Sequence, residues 1–261
     1  MKKVLFAHQS TIPHYRVPFY NTLERLRSDN WNFDVVFDPD EVARNNFFSE
    51  TVTPRSFEFS LLPIKSIVLN FGDQKLIYQT FLQKAAKYDL LIIENAVNNL
   101  AYPLSYFLNY SRKKIALWGH DRDRGLTNYG LVKWLTEALK LSMAKKADGF
   151  FAYTEGVKDN LVYRGVLPKK IFTINNTIDV IEQRKYFKKF SGDREATRKK
   201  LGLTNKNVLL LVGRLNERRK LDYLYDAFEK LLDMDSNYHL LIVGDGDKKF
   251  FKFGREGITY L

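Results

Sequence analysis

The sequence predicts an α/β chain, with one complete doubly wound parallel-sheet domain followed by about half of a second. Three observations predict it. Short apolar runs such as Lys3-Val-Leu-Phe-Ala7 and Asp89-Leu-Leu-Ile-Ile93 recur along the chain. They are hydrophobic at consecutive rather than alternate positions, as in strands buried on both faces of a parallel sheet. Amphipathic helical patterns separate one run from the next, which is the rhythm of βαβ units. The stretch 175–200 is polar and basic and lacks a core strand, and beyond it the strand–helix rhythm restarts. A chain of 261 residues has room for about two ordinary domains.

In order, the runs place strands at 3–7, 33–37, 89–93, 114–118, 149–152 and 170–174, with helices at 16–28, 73–87, 98–109, 128–146 and 154–164. Pro18 suits an early helical position. Residues 53–71 suggest an irregular strand of no definite place. The second unit opens with a strand at 207–212, a helix at 220–232, a strand at 238–243, a short helix and the apolar end Gly257-Ile-Thr-Tyr-Leu261. The expected domains are therefore 1–175, able to fold alone, a basic linker at 176–203 with one or two short helices, and an incomplete lobe at 204–261. An apolar strand at a raw chain end would be an unprotected edge. The expectation is that the natural product is longer, or that this chain is a truncated remnant.

Composition narrows the class. Apolar residues make up 45% and aromatics 15%, enough for a packed core. No apolar run approaches the ~20 residues of a membrane-spanning helix. The N-terminal run is too short for a signal-peptide core, so a cytoplasmic protein is expected. The absence of cysteine excludes disulfides, thiolate nucleophiles and cysteine metal sites. Net charge is +12, unevenly spread: residues 112–146 hold nine Lys/Arg against three Asp/Glu, and 184–200 hold eight against two. An anionic membrane surface, on the inner face of the plasma membrane, is favoured over nucleic acid as a partner, because no nucleic-acid motif accompanies the charge. Trp134 and Leu135 lie among Lys133 and Lys140 and are read as core.

Residues 208–220 concentrate the chemistry. An apolar strand runs into Gly213 and then into Arg214, Arg218, Arg219 and Lys220, immediately before a helical pattern. A strand, a tight turn and cations at a helix N-terminus make an anion site, most often for phosphate; the competing reading is a turn glycine and a solvated helix start. Gly244-Asp-Gly246 ends the next strand in the same way. In the first domain, His120 follows a strand's carboxyl end within Trp118-Gly-His-Asp-Arg-Asp-Arg124, where open α/β sheets bind ligands. The loop 8–18 would bring His14 and Arg16 to the same crevice, or else simply pack through Tyr15 and Val17. Asp38 and Asp40 could hold a divalent metal on a nucleotide diphosphate, but a turn is the favoured reading. The four histidines lack metal-ligand spacing, and no metal is expected.

Taken together these segments resemble the family-4 (group 1) retaining glycosyltransferases of the GT-B fold. Val212-Gly-Arg-Leu215 with Arg219 and Leu221-Asp222 is similar to that family's fingerprint, and Ile242-Val-Gly-Asp-Gly246 to its next strand and turn. Thr173-Ile-Asn-Asn-Thr-Ile-Asp179 resembles its interdomain segment. Ala147-Asp148 through Glu155, Leu117-Trp-Gly-His120 and Pro13-His-Tyr-Arg-Val-Pro-Phe-Tyr20 resemble further stretches of one branch. The resemblance implies two Rossmann-like lobes, a nucleotide-diphosphate sugar as donor on the second, a glycan or lipid-linked acceptor on the first, and no cofactor or metal. It implies that Arg214 and Arg219 stabilise the leaving diphosphate, with Lys220, Gly213, Gly244 and Gly246 beside the donor and His120 near the donor sugar. His14 and Arg16 fall on the acceptor side. Arg219 stands where the family usually has Lys, keeping the charge but presenting a planar fork. The family's later Glu-x7-Glu pair and glycine-rich loop have no counterpart here, which predicts weak donor binding and no transfer by these 261 residues alone. The implied role is sugar transfer in cell-surface polysaccharide or glycolipid synthesis. The alternatives are an inactive remnant that keeps phosphate or membrane binding, a metal-dependent transferase using Asp38 and Asp40, and a basic nucleic-acid-binding protein.

Overall fold

The computed structural model describes residues 1–8, 12–40, 57–71, 74–108, 113–121, 130–216 and 219–261. The chain divides into two compact units, Met1–Asp179 and Val180–Leu261.

Unit 1 is built on a seven-stranded sheet whose neighbouring strands are all parallel. Its strands are β1 (Lys2–Ala7), β2 (Trp31–Phe37), β3 (Ser60–Pro63), β6 (Leu90–Glu94), β7 (Lys114–Gly119), β8 (Gly149–Ala152) and β9 (Ile171–Thr173). The order is β3-β2-β1-β6-β7-β8-β9. The chain winds outward from β1 through β2 to β3, then returns to the other side of β1, so the direction switches between β1 and β6. The connecting helices are α1 (Val17–Arg25), α2 (Ala101–Phe107), α3 (Leu131–Lys146) and α4 (Glu155–Tyr163). Side chains alternate along each strand and feed two cores. Leu5, Ala7, Ile93, Leu117 and Phe150 join Tyr102 and Leu161. Phe6, Val35, Ile92 and Trp118 join Val17 and Tyr20 of α1. Apolar residues at consecutive strand positions are thus required by a sheet covered on both faces. Local signals agree. Pro18 occupies the first turn of α1, and Thr154 Oγ1 caps α4 by accepting from the Val157 amide at 3.2 Å.

Two sequence expectations fail. The helix expected over 73–87 is instead β5 (Gln74–Gln79), paired antiparallel with β4 (Ser66–Phe71), then a turn and a 3-10 helix at Lys84–Lys87. Ile77, Phe81 and Ala85 are all buried, so their spacing of four comes from a strand, a turn and a short helix converging on one core. Trp134 and Leu135 are not core: they are 66% and 51% exposed, while α3 buries Met143 and Ala144 near its other end. The irregular strand of 53–71 resolves into β3 and β4 within the described residues.

Unit 2 starts with α5 (Val180–Phe190) and α6 (Arg194–Lys200), neither of which buries a side chain. A three-stranded parallel sheet follows, of β10 (Asn207–Val212), β11 (Tyr238–Val243) and β12 (Ile258–Tyr260), with α7 (Leu221–Met234) after β10. Leu221, Tyr225 and Phe228 of α7 pack on Leu240 and Ile242. No helix among the described residues is long and apolar enough to cross a membrane.

Candidate functional site

Each unit gathers polar side chains at the carboxyl edge of its sheet, where loops leave the strands and ligands of doubly wound folds bind.

In unit 2 the edge is made by close backbone approach. Beyond the last paired residues, Val212 and Val243, the two loops keep running side by side. The Gly213 amide donates to Val243 O at 3.0 Å and the Leu215 amide to Asp245 O at 2.9 Å, and Leu215 bridges Gly246. A Cβ on Gly244 would lie 2.9 Å from the Gly213 carbonyl carbon, and one on Gly246 would lie 2.7 Å from Leu215 Cβ. Gly244 also has φ +147°. Only glycine lets these loops touch, which explains both glycines of Gly244-Asp-Gly246. Gly213 serves a side chain instead: Arg219 Nη2 sits 3.3 Å from where its Cβ would be, so the guanidinium lies over the turn. Arg214, Arg219 and Lys220 are exposed. Lys220 takes a left-handed conformation, φ 51°, as the residue before α7. Gly213, Arg214, Arg219, Lys220, Gly244 and Gly246 thus share one loop pair at one strand edge. Arg218 lies outside the described residues. This arrangement offers exposed cations, backbone close to any ligand and an adjacent helix N-terminus, a set suited to a multiply charged anion.

Unit 1 places its polar groups at the switch point. His8 and Glu94 directly follow or end the neighbouring strands β1 and β6, and His8 Nδ1 lies 2.9 Å from Glu94 Oε1. His8 Nε2 lies 2.6 Å from the Tyr20 hydroxyl, and Tyr20 is wholly buried. Burial, followed by the Glu94 charge, drives the Tyr20 hydroxyl well above the usual tyrosine range, while Arg16 works against both. Tyr20 therefore keeps its proton at physiological pH, and its hydroxyl shares a hydrogen bond with His8 Nε2. His8 Nδ1 shares the other with the Glu94 carboxylate.

Arg16 stands apart from the sequence expectation of an open crevice residue. It is 2% exposed, with its guanidinium over the rings of Trp118 at 4.7 Å, Tyr153 at 5.2 Å and Tyr15 at 5.3 Å. Arg16 Nη2 donates to Asn176 Oδ1 at 2.7 Å. Burial raises the Tyr153 hydroxyl pKa, and the Arg16 charge lowers it. His120 is exposed at the end of β7, its ring edge-on to Tyr153 at 4.8 Å, and its carbonyl accepts from Asn95 Nδ2 at 2.9 Å. Asp121 is buried and accepts from Asn160 of α4. The side chain of His14, the loop residues 9–11, and Arg122, Asp123 and Arg124 lie outside the described residues. Asp38 spends both carboxylate oxygens on backbone amides, those of Asp40 at 3.0 Å and Ser66 at 2.5 Å, which is turn geometry. Among the described residues, no three His, Cys, Asp or Glu gather as a metal site.

The structure thus unites Arg16 and His120 around Tyr153. It adds His8, Tyr20, Glu94, Asn95, Trp118 and Asn176, which the motifs did not single out. The available signal was position, since His8, Glu94 and Trp118 end or follow the central strands of a doubly wound sheet.

Comparison with known proteins agrees with this architecture. Residues 193–253 match the family described as glycosyl transferases group 1. No curated protein sequence matches the chain. Among solved structures, the whole chain superposes on 69% of Anabaena HepE, crystallised in complex with UDP, with a TM-score of 0.61 and 13% identity. It covers 72% of the UDP-GlcNAc 2-epimerase of Neisseria meningitidis, bound to UDP-GlcNAc, using 99% of its own length, at a TM-score of 0.56 and 14% identity. It also covers 68% of Staphylococcus aureus MnaA, solved with UDP, over its full length, at a TM-score of 0.55 and 15% identity. At such identities the likeness establishes the fold: α/β, Rossmann-like and of GT-B type.

Proposed function

We propose that the chain belongs to a nucleotide-sugar-dependent glycosyltransferase, retaining and metal-independent, whose acceptor is a cell-surface glycan or glycolipid. The observation that carries this reading is the loop pair 213–220 and 244–246, where glycine-enforced backbone contact surrounds Arg214, Arg219 and Lys220. The match of 193–253 to group 1 glycosyl transferases covers this loop pair, and the UDP complexes of proteins with the same fold support a nucleotide diphosphate as its ligand.

On this reading the C–O bond from the donor sugar to the diphosphate breaks, and its electron pair stays on the diphosphate. Arg214 and Arg219 are preorganised to meet that growing charge, so they contribute more to turnover than to donor affinity. His120, which the family resemblance assigns to the donor sugar, is exposed at the end of β7. The protein works in the cytoplasm beside the inner face of the membrane, where its net charge of +12 favours anionic lipid.

A thermal-shift screen of nucleoside diphosphates and nucleotide sugars, followed by product analysis in the longest natural form of the chain, tests the proposal. Stabilisation by a nucleotide sugar and appearance of a glycosylated acceptor are expected. No response to any nucleotide would reject it. Conversion of the sugar without transfer would instead support epimerisation, a reading that the His8–Glu94 pair favours as an acid–base couple.

A further inference from the structure

The aromatic cage around Arg16 leaves hydrogen-bonding capacity unspent. A guanidinium carries five N–H donors and a full charge. Arg16 gives one hydrogen bond to Asn176 Oδ1 and interacts with the Tyr153 hydroxyl, yet no carboxylate lies within ion-pair distance among the described residues. Glu94, the carboxylate on the same strand edge, is held by His8 instead. Beneath the guanidinium, the indole of Trp118 is 3% exposed and its Nε1–H has no acceptor among the described residues. Two buried donor groups, one of them charged, thus lie within one ring's width of each other, 4.7 Å from guanidinium carbon to ring centre. An unpartnered indole N–H is costly to bury, and a buried charge whose N–H groups are only partly satisfied is costlier still. Stacking on rings offsets part of the charge's cost but satisfies no N–H. What this corner lacks is acceptor oxygen carrying negative charge.

We propose that Arg16 and the Trp118 indole N–H form an oxyanion subsite in unit 1 that takes a phosphate group. The subsite is separate in sequence and in unit from the cations after β10. It deepens the transferase reading and rests on it only for the source of the phosphate, which belongs either to a nucleotide or to the acceptor. Neighbouring Asn176 fixes the fork of Arg16, so the remaining N–H groups are presented in one plane. Planar, paired donation suits phosphate oxygens.

The indole N–H is its own reporter. The chain has three tryptophans, Trp31, Trp118 and Trp134, so the 15N-labelled protein gives three indole signals, and Trp118→Phe assigns the relevant one. Inorganic phosphate, UDP and glycerol phosphate are titrated at constant ionic strength, with chloride as control. A saturable shift of the Trp118 signal is expected while Trp31 and Trp134 stay fixed. With inorganic phosphate as the probe, it should persist in Arg214→Ala/Arg219→Ala. In Arg16→Gln the affinity should fall roughly tenfold or more, as for loss of a charged hydrogen bond. Stronger response to UDP assigns the phosphate to the donor, and stronger response to glycerol phosphate assigns it to the acceptor. No shift with any of the three in the unaltered protein overturns the subsite, a result that does not depend on whether the Arg16 variant folds. Equal movement with chloride overturns it too. A failed subsite beside intact nucleotide stabilisation leaves the transferase reading standing.

Discussion

The two strand edges solve the same problem by opposite means. In unit 1 the cation Arg16 is buried under aromatic rings and fixed by Asn176. In unit 2 three cations of the described residues stand exposed, and the precision lies in the backbone, where Gly244 and Gly246 let two loops touch. A buried cation gains strength from low dielectric but must be locked by side-chain packing. Exposed cations cost little to place, and their geometry is inherited from the loops that carry them. The difference predicts where each edge breaks: unit 2 through its glycines, unit 1 through its core.

The sharpest break is Gly244→Ala. Its Cβ would press on the Gly213 carbonyl at a φ that side chains rarely adopt, so unit 2 should lose about 4 kcal/mol, at the upper end for a single substitution. Amide exchange should rise across β10 and β11 while β1 and β6 stay protected. Leu117→Ala reverses the pattern. Leu117 is fully buried at the centre of the larger sheet, and truncation should cost about 3 kcal/mol, read as exchange in β6, β7 and β8.

Smaller changes refine the comparison. Tyr20→Phe leaves the buried His8 Nε2 without its hydrogen-bond partner and should cost about 2 kcal/mol in chemical denaturation of unit 1. His239 on β11 has its pKa held below the ordinary histidine value, first by burial and then by the Lys206 charge. The folded unit thus resists protonation that the unfolded chain accepts. This contribution is intact above the unfolded pKa of about 6.5 and is lost as pH falls from there toward the depressed folded value. Unit 2 should therefore loosen before unit 1 on mild acidification, and His239→Gln should flatten that dependence in a pH series of melting curves.

Much of the fold was legible because parallel strands buried on both faces write themselves as unbroken apolar runs: β6, β7, β10 and β11 lie within a residue of their expected bounds. The β4–β5 hairpin was not legible. Its pairing is local, Phe71 with Gln74, but Ile77, Phe81 and Ala85 imitate a helical stripe and mask it. The exposure of Trp134 escaped for a related reason, since the apolar pattern of α3 does not say which of its turns the sheet will cover. In unit 2, the glycines and cations after β10 and β11 are contiguous in sequence and could be read as one motif. The cage around Arg16 could not, because Trp118, Tyr153 and Asn176 meet it only through the order of strands β7, β8 and β9.

On the proposed reading, the loop pair of unit 2 is a site for a nucleoside diphosphate. Amide exchange with and without UDP, in the unaltered chain and in Arg214→Ala/Arg219→Ala, tests it most directly. UDP-dependent protection is expected within unit 2 at 213–220 and 244–246, and it should be strongly reduced in the double variant. Protection that survives loss of both arginines, or UDP binding that leaves these loops unprotected, would contradict it.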